Sequence, residues 1–114
     1  MSPEGGRDWR LYADDMVDAC GRIRRAIAGL TLQTFRADEI RQDAVVRNIE
    51  IIGEAAKHIP DDVAVRAPEI PWRNVRGMRD ILAHGYFNVS VDIIWMTATT
   101  RIEELETAIQ KLLA

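Results

Sequence analysis

The chain has 114 residues, a length that fits a single domain over residues 1–114 with one modest core. Its 47% hydrophobic and 29% charged residues are typical of a soluble globular protein. The sequence has neither a signal-peptide core nor an apolar run of roughly 20 residues, so we expect a cytoplasmic protein with no membrane contact. The net charge of −3 argues against nonspecific coating of nucleic acid, and the lone Cys20 excludes an internal disulfide framework.

Hydrophobic periodicity predicts an all-α protein, because apolar residues recur at helical spacing and no stretch alternates long enough for a sheet. The first helix is predicted from about Arg7 to Leu30 and the second from about Asp38 to Ile59, with "GLTLQTF" as the turn between them. Pro60 ends the second helix, and "DDVAVRAPEI" then predicts a short helical turn and a loop. The third helix is predicted from Pro71 to Gly85 and the last from about Ser90 to Leu113. Short connections predict an antiparallel four-helix-type bundle with one short additional helical turn.

Apolar stripes along these helices indicate the core. The stripe of the first helix consists of Trp9, Tyr12, Met16, Cys20, Ile23, Ile27 and Leu30. Cys20 on this stripe is interpreted as a small buried hydrophobe rather than a nucleophile. The opposite side of the second helix carries a charged row, interpreted as a solvated face and formed by Asp43, Arg47, Glu50, Glu54 and Lys57.

The stretch "MRDILAHGYF", residues 78 to 87, gathers candidate catalytic groups at the end of the third helix. On a helical wheel, Asp80 and His84 fall on the side away from the apolar arc, and Arg79 falls at its edge. Asp80 precedes His84 by one turn, which suits it to orient an imidazole and to favour its charged form. Tyr86 follows Gly85 and is predicted at the rim of the site, with an aromatic that closes the bundle as the alternative.

Arginines cluster around the same helix. Arginine outnumbers lysine 13 to 2 in the chain, and between residues 66 and 79 there are four arginines and one acid. Because a guanidinium fork binds phosphate oxygens in pairs, Arg73 and Arg76 are predicted to contact phosphate or RNA. Solvated arginines, or an Arg76–Asp80 ion pair along the helix, remain the alternative.

Other chemistries lack the residues they need. Two histidines and one cysteine do not make a four-ligand zinc site, and no loop has the carboxylate spacing of a calcium site. No glycine-rich phosphate loop is present either. The sequence therefore predicts no bound metal and no cofactor.

Two segments together, "IPWRNVRGMRDILAHGYF" and "NIEIIGEAAKHI", resemble the HEPN superfamily of small all-α proteins. Within it, they are most similar to the HepT-type toxins of HepT/minimal-nucleotidyltransferase toxin–antitoxin pairs, and the similarity covers nearly the whole chain. The signature of these toxins is an arginine, four to six residues, a histidine, and a tyrosine two residues further on; here these are Arg79, His84 and Tyr86. The family often has asparagine after the arginine, whereas this chain has Asp80.

The resemblance implies a metal-independent endoribonuclease that acts as a homodimer. It would be the toxin of a type VII-like toxin–antitoxin pair and cleave transfer or messenger RNA by attack of the 2′-hydroxyl. Arg79 would hold the phosphate, His84 would transfer protons, and Asp80 would order them. A cognate minimal nucleotidyltransferase would block the toxin by attaching AMP to Tyr86. The alternative of another class is a noncatalytic helical module that binds such a nucleotidyltransferase, since a fold does not settle activity.

Overall fold

The computed structural model describes the backbone of residues 7–85 and 90–114, and the side chains of residues 7–78 and 90–114. Its helices, in chain order, are α1 (Trp9–Ile27), α2 (Leu32–Arg36), α3 (Glu39–Ala56), α4 (Asp61–Ala64), α5 (Trp72–Gly85), α6 (Val91–Met96) and α7 (Ile102–Leu113). A π-helical segment, Thr97–Arg101, connects α6 directly to α7. The described residues contain no strand, which agrees with the prediction of an all-α protein.

Helix α1 is shorter than predicted at both ends for local reasons. Asp8 caps its first turn, because its carboxylate accepts a hydrogen bond of 2.9 Å from the amide of Arg10. At the other end, Gly29 has a φ of 77°, a left-handed conformation that stops a helix at little cost for glycine. Arg7 and Leu30 therefore lie outside the helix.

The prediction that "GLTLQTF" forms only a turn is wrong, because this segment contains α2. A reciprocal capping box starts the helix: the amide of Thr31 donates to Oγ1 of Thr34 at 2.8 Å, and the amide of Thr34 donates to Oγ1 of Thr31 at 3.2 Å. Phe35 in this helix is fully buried. Burial of the Phe35 side chain in the core thus stabilises α2, a helix of five residues that would not be stable alone.

Helices α1 and α3 run antiparallel and form the centre of the core. Tyr12, near the start of α1, stacks on His58, just beyond the end of α3. At the other end of the pair, Arg41 donates to the carbonyl of Ala26 at 3.0 Å. Between these contacts, Met16, Cys20 and Ile23 of the predicted stripe on the first helix are buried. On α3, the residues buried there include Val45, Ile49, Ile52 and Ala56. Burial raises the pKa of the Cys20 thiol to about 12, which keeps it protonated and agrees with its interpretation as a small hydrophobe.

An ion pair connects α1 to α7. The guanidinium of Arg24 donates two hydrogen bonds of 2.7 Å to the carboxylate of Glu106, which is only 8% exposed. Such a fork pair is geometrically specific, and it compensates a carboxylate that would otherwise be buried alone. Nothing in the helical periodicity had indicated this pair.

The predicted last helix begins at its Ser90 cap but contains a π-helical turn. Three threonines of this region donate to backbone carbonyls one turn earlier: Thr97 to Ile93 at 2.9 Å, Thr99 to Trp95 at 2.9 Å and Thr100 to Met96 at 2.6 Å. Side-chain competition for helix carbonyls of this kind bends or loosens a helix. No helix in the described ranges 7–85 and 90–114 is long and apolar enough to cross a membrane.

Candidate functional site

Helix α5 carries most of the predicted site residues, and its first turn is fixed to the segment that precedes it. The indole Nε1 of Trp72 donates to the carbonyls of Ala64 and Ala67 at 3.0 and 3.1 Å. Val75, one turn later, is buried. This half of the helix is therefore held firmly against the core.

Arg76 ties α5 to the end of α3. Its Nε donates to the carbonyl of Ala56 at 3.0 Å, and its Nη2 donates to the carbonyl of Ile59 at 2.9 Å. These carbonyls belong to the last turn of α3 and the turn after it, where acceptors lack partners within the helix. The guanidinium also lies 5.4 Å from the ring centroid of Trp72. Phosphate binding by Arg76 stays a prediction, and two of its donors already have backbone partners.

From this anchor α5 runs back along α3. Since α3 ends at Ala56 and α5 packs against it, the helix that starts beside Ala56 must be antiparallel to α3. The backbone is helical without interruption to Gly85, so Arg79, Asp80 and His84 lie within one and a half turns of the same helix. Their side chains are outside the described part of the structure, and Tyr86 lies outside the described residues altogether.

Arg73 differs from Arg76 although both lie on α5. Its side chain is exposed, and it makes no hydrogen bond or ion pair with any residue whose side chain is described. Helical spacing places position 73 on the same stripe as positions 80 and 84. Among the described side chains, none therefore accepts a hydrogen bond from Arg73, which lies on the side of the helix predicted for phosphate.

The charged row on α3 borders a pocket that the sequence patterns did not indicate. Asp43, Arg47, Glu54 and Lys57 are exposed, as predicted, and Glu50 is half-buried. Toward the end of α3 this row forms one wall of an open pocket of about 440 Å³. The opposite wall is the start of α1, and the polar and aromatic residues that line the pocket are Arg7, Tyr12, Asp15, Arg47, Glu50, Glu54 and His58.

Two ring contacts shape this α1–α3 pocket. The rings of Tyr12 and His58 are stacked, with centroids 4.3 Å apart and an angle of 11° between their planes. The guanidinium of Arg7 lies over the Tyr12 ring at 4.3 Å, and Asp15 accepts a hydrogen bond of 3.0 Å from it. Glu54 lies 3.8 Å from Nε2 of His58. The only sequence signal for this cluster was the four-residue spacing of Glu54 and His58, because Tyr12 is 46 positions away from His58.

The residues described with side chains contain no group of three or more histidine, cysteine, aspartate or glutamate side chains placed to hold a metal ion.

Comparison with known proteins identifies the family. The HepT-like family, described as "Ribonuclease HepT-like", matches residues 16–112. A "Probable ribonuclease HepT" of Thermococcus cleftensis is 40% identical over 106 residues, which cover 93% of this chain and 96% of that protein. A protein named "Putative RNase" in Caldanaerobacter subterraneus subsp. tengcongensis is 36% identical over 104 residues, covering 91% and 93%. No solved structure matches the chain.

The helical fold and the match to the HepT-like family define a protein of the HEPN type. The chain belongs to the HepT-like ribonuclease family, because that family matches most of its length and relatives above 30% identity cover nearly all of it. This membership confirms the resemblance seen in the sequence and the predicted enzyme class, a ribonuclease.

Proposed function

We propose that the protein is a metal-independent endoribonuclease that works as a homodimer, with Arg79 and His84 as its catalytic residues. The observation that carries this proposal is the continuous helix α5, which holds both residues on a segment anchored to the end of α3 by Trp72 and Arg76. Anchoring matters because catalytic groups must keep their positions to be effective. Membership of the HepT-like ribonuclease family supports the reaction class.

The reaction proposed is transfer of a phosphodiester to the neighbouring 2′-oxygen. The 2′-oxygen forms a bond to phosphorus while the bond from phosphorus to the 5′-oxygen breaks, leaving a 2′,3′-cyclic phosphate and a 5′-hydroxyl. A base accepts the proton of the 2′-hydroxyl, and an acid donates a proton to the leaving 5′-oxygen. One His84 cannot serve as both in a single step, whereas two copies related by a two-fold axis divide the roles.

The remaining groups of α5 stabilise and order this site. Arg79 offsets the negative charge that develops on the phosphorane, which is the usual role of a fixed cation in phosphoryl transfer. Asp80, one turn before His84, orients the imidazole or the guanidinium. Arg73, which is exposed and has no partner among the described side chains, contacts the RNA backbone nearby.

Regulation is proposed at Tyr86, one residue beyond the end of α5. A cognate minimal nucleotidyltransferase attaches AMP to its hydroxyl, so that the protein is the toxin of a type VII-like toxin–antitoxin pair acting on transfer or messenger RNA. The added nucleotide fills the cleft, and its phosphate neutralises Arg79, so that both size and charge block the substrate.

The test is cleavage of total RNA and of defined transfer RNAs by purified protein in EDTA, followed by analysis of product ends. We expect cyclic phosphate and 5′-hydroxyl ends, and we expect His84→Ala and Arg79→Ala to lower the rate about 100-fold or more while remaining folded. A divalent-metal requirement or free 3′-hydroxyl ends would overturn the 2′-hydroxyl mechanism. Absence of any cleavage, together with tight binding of a nucleotidyltransferase, would favour a noncatalytic partner module.

A further inference from the structure

We propose that the α1–α3 pocket is a subsite for a short single-stranded stretch of the RNA, in which one base stacks on His58 and a phosphate a few nucleotides along the strand binds Arg47. This inference rests on the proposed function, because the RNA that contacts the pocket is the substrate of the proposed ribonuclease. It concerns residues that lie on α1 and α3 rather than on α5.

His58 provides the stacking surface. One face of its imidazole is covered by Tyr12 at 4.3 Å, yet 47% of its side chain is exposed. The other face of Tyr12 is occupied by the guanidinium of Arg7, since one ring face has no room for both neighbours at this distance. A base therefore stacks on the outer face of His58 and extends an existing column of flat groups. Such stacking on aromatic side chains is tolerant of sequence and is a common way to hold single strands.

Arg47 provides the phosphate contact. Its side chain is exposed on the wall of the pocket and makes no hydrogen bond or ion pair with the described residues. Arg47 lies about 16 Å from His58 along the axis of α3. Because both side chains extend from the helix, a few nucleotides of a single strand are long enough to contact both. A guanidinium with all its donors available is the group that best matches phosphate oxygens. Arg7 is less suited, because Asp15 already accepts one of its hydrogen bonds.

The acids of the pocket decide what kind of nucleic acid fits. Glu50 and Glu54 lie on the same wall as Arg47, so a run of consecutive phosphates would be repelled there. Carboxylates do accept hydrogen bonds from ribose hydroxyls and from amino groups of bases, and the 2′-hydroxyl distinguishes RNA from DNA. The volume of about 440 Å³ is within the range of pockets that hold small ligands. These features favour a splayed single strand over a duplex.

The pocket is close enough to α5 for one strand to reach both. Its wall is α3, and α5 packs on the same helix, so the pocket and the backbone of α5 lie about one helix diameter, roughly 10 Å, apart across the bundle. Arg47 and Glu50, which belong to the charged row of α3, line the pocket. A strand cut at α5 is thus held at a flanking nucleotide, which affects substrate affinity rather than the chemical step.

The experiment measures RNA binding and cleavage separately. Binding of a labelled single-stranded RNA is measured by fluorescence anisotropy in a His84→Ala background, so that the strand stays intact. We expect His58→Ala and Arg47→Ala each to weaken binding roughly 10-fold, the effect of losing one stacked base or one phosphate contact. His58→Phe retains a flat ring and should bind within about threefold of the parent. Arg22→Ala, an exposed arginine of α1 outside the pocket, is the matched control for loss of charge and should bind as the parent does.

In the cleavage assay with His84 intact, His58→Ala and Arg47→Ala should raise KM and leave kcat unchanged, whereas His84→Ala lowers kcat. Unchanged binding and KM in both pocket variants would overturn the subsite while leaving the proposed nuclease intact. Binding of a free mononucleotide to the pocket as tightly as the strand would also overturn it, because the site would then serve a free nucleotide. If the wild type binds RNA through the pocket but never cleaves it, the proposed catalysis fails and the subsite stands.

Discussion

Arg76 and Ile59 are joined by a hydrogen bond of 2.9 Å from the guanidinium Nη2 to the backbone carbonyl. The bond connects the helix that carries the predicted catalytic residues to the segment just beyond α3. A second bond from the same side chain reaches Ala56 at 3.0 Å. The position of α5 relative to α3 therefore depends on a side chain for which the sequence indicated a phosphate contact, a solvated position or an ion pair with Asp80, and not this anchoring role.

Replacing Arg76 by alanine should destabilise the protein by about 1–3 kcal/mol, because the carbonyl of buried Ile59 loses the guanidinium donor and that of Ala56 keeps only the amide of Ile59. Arg76→Lys should retain only part of the stability that Arg76→Ala loses, since lysine lacks the guanidinium fork that reaches both carbonyls. Urea unfolding gives the free energy of unfolding of each variant. Arg73→Ala is the control, and its free energy of unfolding should change by no more than about 0.5 kcal/mol, because its side chain is exposed and has no described partner. Equal stability of both alanine variants would contradict this role for Arg76.

The Arg24–Glu106 pair should contribute to stability as a unit. Arg24→Ala leaves the carboxylate of Glu106, 8% exposed, without its two hydrogen bonds of 2.7 Å, and should cost roughly 1.5–3 kcal/mol. Removing both partners, as Arg24→Ala with Glu106→Gln, should cost less than the sum of the two single changes. A double-mutant cycle from thermal or urea unfolding gives the coupling energy. A coupling of zero would show that the pair adds nothing beyond its separate side chains.

The Arg36–Asp92 pair predicts a loss of stability in acid. Hydrogen bonds from Arg36, at 2.9 and 2.6 Å, lower the pKa of Asp92 in the folded protein. Its stabilisation is therefore complete above the unfolded pKa of about 3.9 and is lost as the pH falls through the lower folded value. The melting temperature of the wild type should be higher than that of Asp92→Asn at pH 6, and this difference should vanish at strongly acidic pH. Asp14→Asn, at an exposed carboxylate without a described partner, is the control for removing one carboxylate from the surface.

The proposed composite site predicts that both subunits supply a His84. We expect a dimer at micromolar concentration by sedimentation. Ile93 and Met96, which are 52% and 50% exposed on α6, are available for such a contact. Mixed dimers of wild type and His84→Ala, purified through two different tags, should lose most of their cleavage activity because base and acid come from different copies. A monomer in solution, or a mixed dimer with half the wild-type rate, would contradict the composite site.

Tyr86→Phe tests the proposed regulation without removing the ring. Toxicity in the absence of the partner should largely persist, whereas neutralisation by a coexpressed cognate nucleotidyltransferase should fail, because the acceptor oxygen is gone. Intact mass after incubation with that partner and ATP should show added AMP on wild type and none on Tyr86→Phe. If Tyr86 instead closes the bundle, the variant would lose roughly 1 kcal/mol or more of stability and neutralisation would proceed unchanged.

Local sequence patterns determined the longer helices and the order of the candidate residues, but not the five-residue helix α2. Stripes of apolar side chains, the caps Asp8 and Ser90, and proline and glycine positions reflect interactions within a few residues, so they can be read along the chain. The spacing of Arg79 and His84 placed both on one helix. The two whole segments "IPWRNVRGMRDILAHGYF" and "NIEIIGEAAKHI", rather than this spacing alone, indicated the ribonuclease family.

The tertiary structure decided which side chains meet across the fold. Arg24 and Glu106 are 82 positions apart, Arg76 reaches back to Ala56, and Tyr12 stacks on His58 at the opposite end of an antiparallel pair. None of these contacts follows from helical periodicity, because periodicity states which face of a helix is apolar and not which helix covers it or in what register. The anchoring contacts of Arg76 depend on how α5 packs against α3, and the α1–α3 pocket depends on how α1 packs against α3.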